Sequence, residues 1–411
     1  MRVPGVQIEN SYEMFGLGMK RLPIRVWYLN WRVLVAAGVI LLGSSSSARI
    51  YAADAGGVEV QNEAPARPGL IFACDGPTSE LQALLTPDLI ADLKILNAGV
   101  ALSTEDFSRA RAEIVRRLNV AGIPVTAWIL LPPEQGYYSN ADNAPQTLSR
   151  FTEFDSWTRE NNLQWAAVGL DIEPNFSQLV ALKNHKMHLL WVLFRRSFDA
   201  GRVRRAQDAY SAVIRQIQSR GYLVQTYQLP FLADERNAHS TVLERVLGLV
   251  DVRGNDEVLM IYTSFNHKMG SAMIWEYGPD AQTIAVGSTA SAGNAATDAA
   301  FPPLNWDEFS SDLIVAHHFS AVIAVYNLQG CVRQGFIARL KVLNWSEPVL
   351  VSSQSITRAA RLRSVVHLVL WIGSNLIYLA AGAIVLIAWL AYRIARRRRR
   401  RRAEMLTVSV G

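Results

Sequence analysis

The sequence predicts an α/β protein: a (β/α)8 TIM-like barrel with an insertion after its fourth strand, an N-terminal signal or anchor segment and one C-terminal transmembrane helix. Three observations carry this prediction. Short apolar runs rich in strand formers alternate with helix-spaced stretches across residues 69–350; a charge-free apolar run, Val365 to Tyr392, is followed directly by arginines; and the net positive charge collects at the two ends.

At the N-terminus, Lys20, Arg21, Arg25 and Arg32 precede the apolar run Val33–Gly43, and small residues lead to Ala53-Asp54-Ala55, an A-x-A-like cleavage site. Residues 1–55 therefore form a secretory signal, with translation starting at Met14 or Met19, or an uncleaved signal anchor. Either version exports the middle of the chain. Residues 56–68 are polar and bear Ala, Gly and Pro, the composition of a linker.

Eight candidate strands come next: Leu70–Cys74, Leu93–Asn97, Pro124–Leu131, Ala166–Asp171, Tyr222–Tyr227, Glu257–Tyr262, Thr283–Gly287 and Ala321–Tyr326. Between them, Thr104–Ala121 has helical spacing behind a Thr cap and an acidic first turn, and Gly122-Ile-Pro124 ends it. The same strand, helix, strand alternation recurs at Ala209–Gly221 and Trp306–Phe319. Eight parallel strands with outer helices close as a (β/α)8 barrel, and the domain length suits it. An open doubly wound sheet is the runner-up, but no G-x-G-x-x-G follows the first strand and no P-loop occurs. The stretch Asn175–Arg220 is too long for one barrel helix. It carries Met187-His-Leu-Leu-Trp-Val-Leu-Phe194 and then Arg195, Arg196, Arg202, Arg204 and Arg205, either a basic amphipathic element for a membrane surface or an extra helix packed on the barrel.

The run from Val365 to Tyr392 exceeds the roughly 20 apolar residues that cross a bilayer core. Trp389 and Tyr392 fall where an interfacial aromatic belt belongs. Arg393 and the unbroken run Arg396–Arg402 mark the cytoplasmic side and outweigh Arg358, Arg361 and Arg363 at the other end, so residues 393–411 form a cytoplasmic tail. Charge bookkeeping agrees. Residues 1–53 carry +4 and residues 358–411 carry +10 of a formal +6, leaving −8 for the segment between them, which removes any electrostatic footprint for nucleic acid.

In such a barrel chemistry sits at the C-terminal strand ends. The residues there are Asp75, Asn97, Trp128, Glu134, Asp171, Glu173, Gln225, Tyr227, Tyr262, Ser288 and Tyr326. Strand four ends Gly169-Leu-Asp171-Ile-Glu173-Pro174. Alternation puts Asp171 and Glu173 on one inward face, with Cα atoms roughly 6.5 to 7 Å apart. Adjacent carboxylates resist joint ionisation, which supplies an acid and a base near neutrality. The opposing reading makes one carboxylate a helix cap and the other an ion-pair partner.

Gly169-Leu-Asp171-Ile-Glu173 resembles the strand-four signature of barrel glycoside hydrolases: the D-x-E of the family 25 lysozymes and part of the D-x-x-D-x-D-x-E of the family 18 chitinases. It departs from the chitinase motif, because Asn175 stands at the final catalytic Glu and Ala167 or Val168 near the first acids. The lysozyme-like alignment implies Glu173 as proton donor and Asp171 as its partner. The expected activity is glycan hydrolysis, with a non-catalytic glycan-binding or scaffolding barrel as the alternative. Expected substrate contacts are Asp75, Trp128, Tyr137, Tyr138, Asn140, Gln225, Tyr227, Tyr262 and Tyr326, since sugar faces stack on aromatic rings and hydroxyls seek amides and carboxylates; Asn143 and Gln228 offer the same chemistry, and the loop Gly136–Asn143 is the best candidate wall.

Other chemistries are weakly signalled. There is no H-E-x-x-H and no G-x-S-x-G, so no metal and no cofactor is expected. Expected partners are a polysaccharide, the membrane and an envelope protein. The two cysteines, Cys74 ending strand one and Cys331 just after strand eight, are expected to bridge the barrel seam, since closure makes those strands neighbours and export permits disulfides. Topology is checked by reporter fusion: a reporter after Gly411 is expected to be active only in the cytoplasm and one after Ser352 only outside, and the reverse pattern overturns the assignment.

Overall fold

A computed structural model describes residues 56–62, 67–175, 186–290 and 301–408. The expected signal or anchor segment lies outside the described residues. Among the described residues ten strands are present: β1 (Val58–Val60), β2 (Gly69–Cys74), β3 (Ala98–Ser103), β4 (Val125–Ile129), β5 (Ala167–Asp171), β6 (Val224–Gln228), β7 (Asp256–Met260), β8 (Thr283–Gly287), β9 (Val322–Tyr326) and β10 (Val349–Val351). Strands β2 to β9 form a closed parallel barrel in sequence order, sealed where Leu70 opposes Ile323 and Ala73 opposes Tyr326.

The helices between the strands are α1 (Thr78–Leu84), α2 (Pro87–Ile95), α3 (Arg109–Val120), α4 (Ala144–Glu160), α5 (Lys186–Arg196), α6 (Ala200–Ser219), α7 (Phe231–Asn237), α8 (Val242–Leu247), α9 (Ala272–Tyr277), α10 (Trp306–Phe319), α11 (Leu328–Arg333) and α12 (Phe336–Leu340); α13 (Ser353–Val408) ends the described chain. Outward strand residues such as Phe72, Val100, Leu102, Leu170 and Ile172 pack with helix residues such as Leu93, Ile114, Tyr210 and Phe309 in one core. Helix α10 starts where the sequence predicts, closed by a capping box of Asn305 and Glu308.

Two local expectations are corrected. Leu93–Asn97 is not the second strand. Leu89, Leu93 and Leu96 are buried at helical spacing at the end of α2, Asn97 turns the chain at φ 49°, and the strand is Ala98–Ser103, whose Gly and Ala content hid it. Asn97 thus sits at the entry of β3, away from the strand ends where chemistry is expected. Likewise α3 begins at a Ser108 cap and not at Thr104, whose hydroxyl donates to the Trp128 carbonyl at 3.1 Å.

The cysteine bridge is also corrected. Closure does make β2 and β9 neighbours, but Cys74 and Cys331 are free, buried thiols. Cys331 lies in α11 with its Sγ 3.6 Å from Thr289 Oγ1, and Cys74 packs among the outward barrel residues. Burial pushes both thiols up, away from the reactive thiolate.

Inside the span expected to be a linker, β1 pairs antiparallel with β10, directly ahead of α13. Helix α13 is long and apolar enough to cross a membrane, with a mean hydropathy of 2.0 over its most apolar stretch. Its first third is nevertheless docked on the barrel: Ile356, Ala359 and Leu370 are buried, Gly373 abuts Val242, and Ser374 Oγ lies 2.9 Å from Ser240 Oγ. The polar anchor of this docking is Asp234, fully buried, which receives Arg363 Nε at 2.7 Å, Tyr277 OH at 2.7 Å and His367 Nε2 at 2.9 Å. Arg363 also bonds Asp280 and the Glu276 carbonyl and lies over the Tyr277 ring. From Leu376 to Arg397 every residue is exposed.

Removing one partner of a buried charge pair costs roughly 3 to 5 kcal/mol because the other is left desolvated and unpaired. Arg363→Ala is therefore expected to destabilise the barrel by that order in denaturant titration. A chain cut after Thr357 should be similarly weakened, and one cut after Asn375 should melt with the intact domain.

Candidate active site

Strand β5 is buried along its length, with Val168, Leu170 and Ile172 turned to the helices and Gly169, Asp171 and Glu173 on the alternate, inward face. Gly169 is required there. A Cβ on it would stand 2.7 Å from Tyr227 Cε2, so only glycine lets the Tyr227 ring lie across β5 just below Asp171. Past the strand end, the chain is held extended by a bridge between Ser139 and Ile172, with Ser139 N–H donating to the Asp171 carbonyl at 2.9 Å and Glu173 N–H to the Ser139 carbonyl at 3.1 Å. This keeps Glu173 in register above Asp171.

Asp171 is 3% exposed, and its Oδ1 has no hydrogen-bond partner. Its carboxyl is pushed up from the ordinary range by burial, tempered by the neighbouring Trp128 indole, whose own N–H also lacks a partner at bonding distance. Glu173 retains a narrow opening to solvent. It is pushed well up by the desolvation of its deep position and then by the charge of Asp171. Two carboxyls this close share protons as a pair, so one is protonated where an isolated carboxylate would be ionised. Buried polar atoms without partners in a folded core are uncommon, and here they converge on one point.

Around the pair stand most of the residues expected from sequence. Tyr326 ties the seam: its hydroxyl lies 3.3 Å from Asp75 Oδ2, its ring stacks on Tyr262 at 5.5 Å and meets Trp128 edge-on at 6.5 Å. Asn327 Nδ2 donates to Asp75 Oδ1 at 3.1 Å. Burial raises the Asp75 carboxyl, and the two hydrogen bonds oppose that. Tyr137 and Tyr138 meet at 4.9 Å on the loop after β4; both phenols are raised by burial and by nearby carboxylates, Glu105 first for Tyr137 and Glu173 first for Tyr138. The mouth is thus acidic and aromatic, with Asp75, Trp128, Tyr137, Tyr138, Asp171, Glu173, Tyr227, Tyr262 and Tyr326 brought together.

Two expected contacts are placed elsewhere. Asn140 is 1% exposed and knits its own loop, donating to the Tyr138 carbonyl at 3.0 Å and accepting from Asp142 N–H at 3.1 Å. Neighbouring Asn143 does the same work with Tyr210, 2.7 Å away. Gln225 lies one layer below the mouth, roofed by Tyr227, whose hydroxyl donates to its Oε1 at 3.2 Å, and bonded to Asp256 at 3.1 Å. Gln228 points outward to the Val252 carbonyl, as its position in the alternation demands. Sequence reasoning missed Glu105, whose Oε1 accepts from Tyr137 OH at 3.5 Å, and Asn327. Both lie just past strand ends, Glu105 hidden by the misplacement of the second strand.

Among the described residues no cluster of three or more His, Cys, Asp or Glu is arranged to hold a metal ion. No protein-family model matches the chain, and no curated protein matches it. Solved structures similar to it include the PgaB (BpsB) glycoside hydrolase domain from Bordetella bronchiseptica, 11% identical with a TM-score of 0.38, covering 67% of this chain and 98% of that one. A xylose isomerase domain protein from Planctomyces limnophilus is 12% identical at a TM-score of 0.37, covering 68% and 95%. Gas2p from Saccharomyces cerevisiae is 11% identical at 0.36, covering 74% and 67%. At these scores the likenesses carry no argument; the barrel stands on its own strand pairing.

The raised Asp171 carboxyl has a consequence for stability. Its folded pKa lies above the unfolded value near 3.9, so its ionisation works against folding as pH rises from about 4 through the folded pKa. Asp171→Asn is expected to match the parent near pH 4 and to gain melting temperature over it with rising pH, measured by calorimetry. A difference that stays constant with pH would mean that Asp171 is not raised.

Proposed function

We propose that the chain is a membrane-anchored glycoside hydrolase acting outside the cytoplasm on a cell-wall or exported polysaccharide. The observation that carries the reading is the Asp171–Glu173 pair: adjacent on one strand face, raised together, without ion-pair partners among the described residues, and walled by Trp128, Tyr137, Tyr138, Tyr227, Tyr262 and Tyr326. A polar chain with flat C–H faces suits this mouth, since rings cover its faces and carboxylates take its hydroxyls.

The roles follow from exposure and charge. Glu173, which keeps an opening, is the group that reaches the glycosidic oxygen, and its raised pKa leaves it protonated for donation to the departing sugar. Asp171 lies beneath it. In the ionised form Asp171 favours the proton on Glu173 before the bond breaks and stabilises the positive charge that develops on the sugar ring, whether directly or by orienting a substrate acetamido group. The expected topology, barrel outside and arginine-rich tail inside, places the mouth in the compartment where such polymers lie.

The test is release of reducing ends from cell-wall and exopolysaccharide preparations by the full chain in detergent. Glu173→Gln is expected to lower turnover by about 10²- to 10⁴-fold while glycan binding survives. Binding by both forms with no reducing ends from either would replace the hydrolase with a glycan-binding envelope protein.

A further inference from the structure

The stretch of α13 that leaves the barrel is short. From Leu376 to Tyr392 it spans about 25 Å at 1.5 Å per residue, against a hydrocarbon core of roughly 30 Å. No spacer separates the docked part from the apolar part, since Ser374 is still bonded to Ser240. A bilayer that holds α13 must therefore touch the barrel surface around this exit.

Helix α8 forms part of that surface. At its start Val242 meets Gly373 of α13, and further along Arg245 bonds the carbonyl of Ser197, the residue after α5. The helix is six residues long, about 9 Å. One short helix thus connects the exit point to α5. There Trp191, Phe194 and Phe198 are 57%, 53% and 49% exposed, yet they pack on one another, with ring centroids 5.9 Å apart for Trp191 and Phe194 and 5.1 Å for Phe194 and Phe198. Arg195 and Arg196 close the helix, and Arg204 and Arg205 of α6 are exposed nearby in the chain. A cluster of aromatics left in water costs free energy that its own stacking recovers only in part. Aromatics with arginines beside them suit the interface of an anionic bilayer, where rings sit at headgroup level and guanidinium groups meet phosphate.

We propose that α5 and Phe198 form an interfacial foot that inserts its aromatic cluster into the outer leaflet of the membrane crossed by α13, giving the barrel a second contact that fixes its orientation. This rests on the membrane-spanning reading of α13. The foot explains the length of the chain between β5 and β6, which exceeds what barrel closure requires.

The full chain offers a selective test, because Cys74 and Cys331 are buried and a cysteine introduced at the surface is the one that reacts. Phe194→Cys, Phe198→Cys, Ile387→Cys and Val120→Cys, each carrying an environment-sensitive fluorophore, are placed in nanodiscs of phosphatidylcholine and phosphatidylglycerol with brominated acyl chains. Val120, 91% exposed at the end of α3, serves as the aqueous reference, and Ile387 reports the span itself. Loss of fluorescence to the bromines at Ile387 and at Phe194 or Phe198, with none at Val120, is the expected result. Quenching at Ile387 alone overturns the foot and leaves the anchor standing. Absence of quenching at Ile387 overturns the anchor, and the foot with it.

Discussion

Closure of the barrel is the constraint on which the other features depend. When β9 pairs with β2, the inward face of every strand becomes an enclosed surface, and the side chains at the strand tops must share one small mouth. Asp171 and Glu173 cannot separate, because the extended backbone from Gly169 to Glu173 holds both on that face and Ser139 pins it past the strand end. Closure also brings Asp75 within reach of Tyr326 and Asn327, partners some 251 and 252 residues away along the chain.

The same enclosure sets the electrostatics. Burial takes water from Asp171 and Glu173 and leaves Asp171 Oδ1 without a hydrogen-bond donor, so ionising the pair is costly. Contrast Asp234, equally buried, which is satisfied by Arg363, His367 and Tyr277 and thereby fastens α13 to the barrel wall. One buried carboxylate serves assembly, whereas the Asp171–Glu173 pair has no ion-pair partner among the described residues.

Docking of α13 changes how the two halves of the molecule relate. The apolar run that reads as one uninterrupted span is divided by tertiary contact, its first residues belonging to the barrel surface and the rest projecting from it. The projecting part of α13 consequently leaves the barrel without a flexible tether, and β1, clamped to β10 just ahead of α13, draws the start of the barrel domain to the same region of the chain.

The sequence by itself determined the parts governed by local periodicity. Alternation gave seven of the eight barrel strands and the shared face of Asp171 and Glu173, and the uninterrupted apolar run gave the long helix at residues 365–392, because pleat and hydropathy are written into neighbouring residues. Strand β3 escaped, since Ala98-Gly-Val-Ala-Leu-Ser103 carries little strand signal of its own and is made a strand by neighbours on both sides. Only the tertiary structure decided which polar residues remain unpaired. Asn140 and Gln225 look as suited to a ligand as Asp171, yet the fold occupies the first two with internal bonds, whereas it leaves Asp171 Oδ1 without a partner. It likewise decided that Cys74 and Cys331 stay apart as thiols and that Arg363 ends against a buried aspartate, because such outcomes depend on where distant side chains point once the barrel has closed.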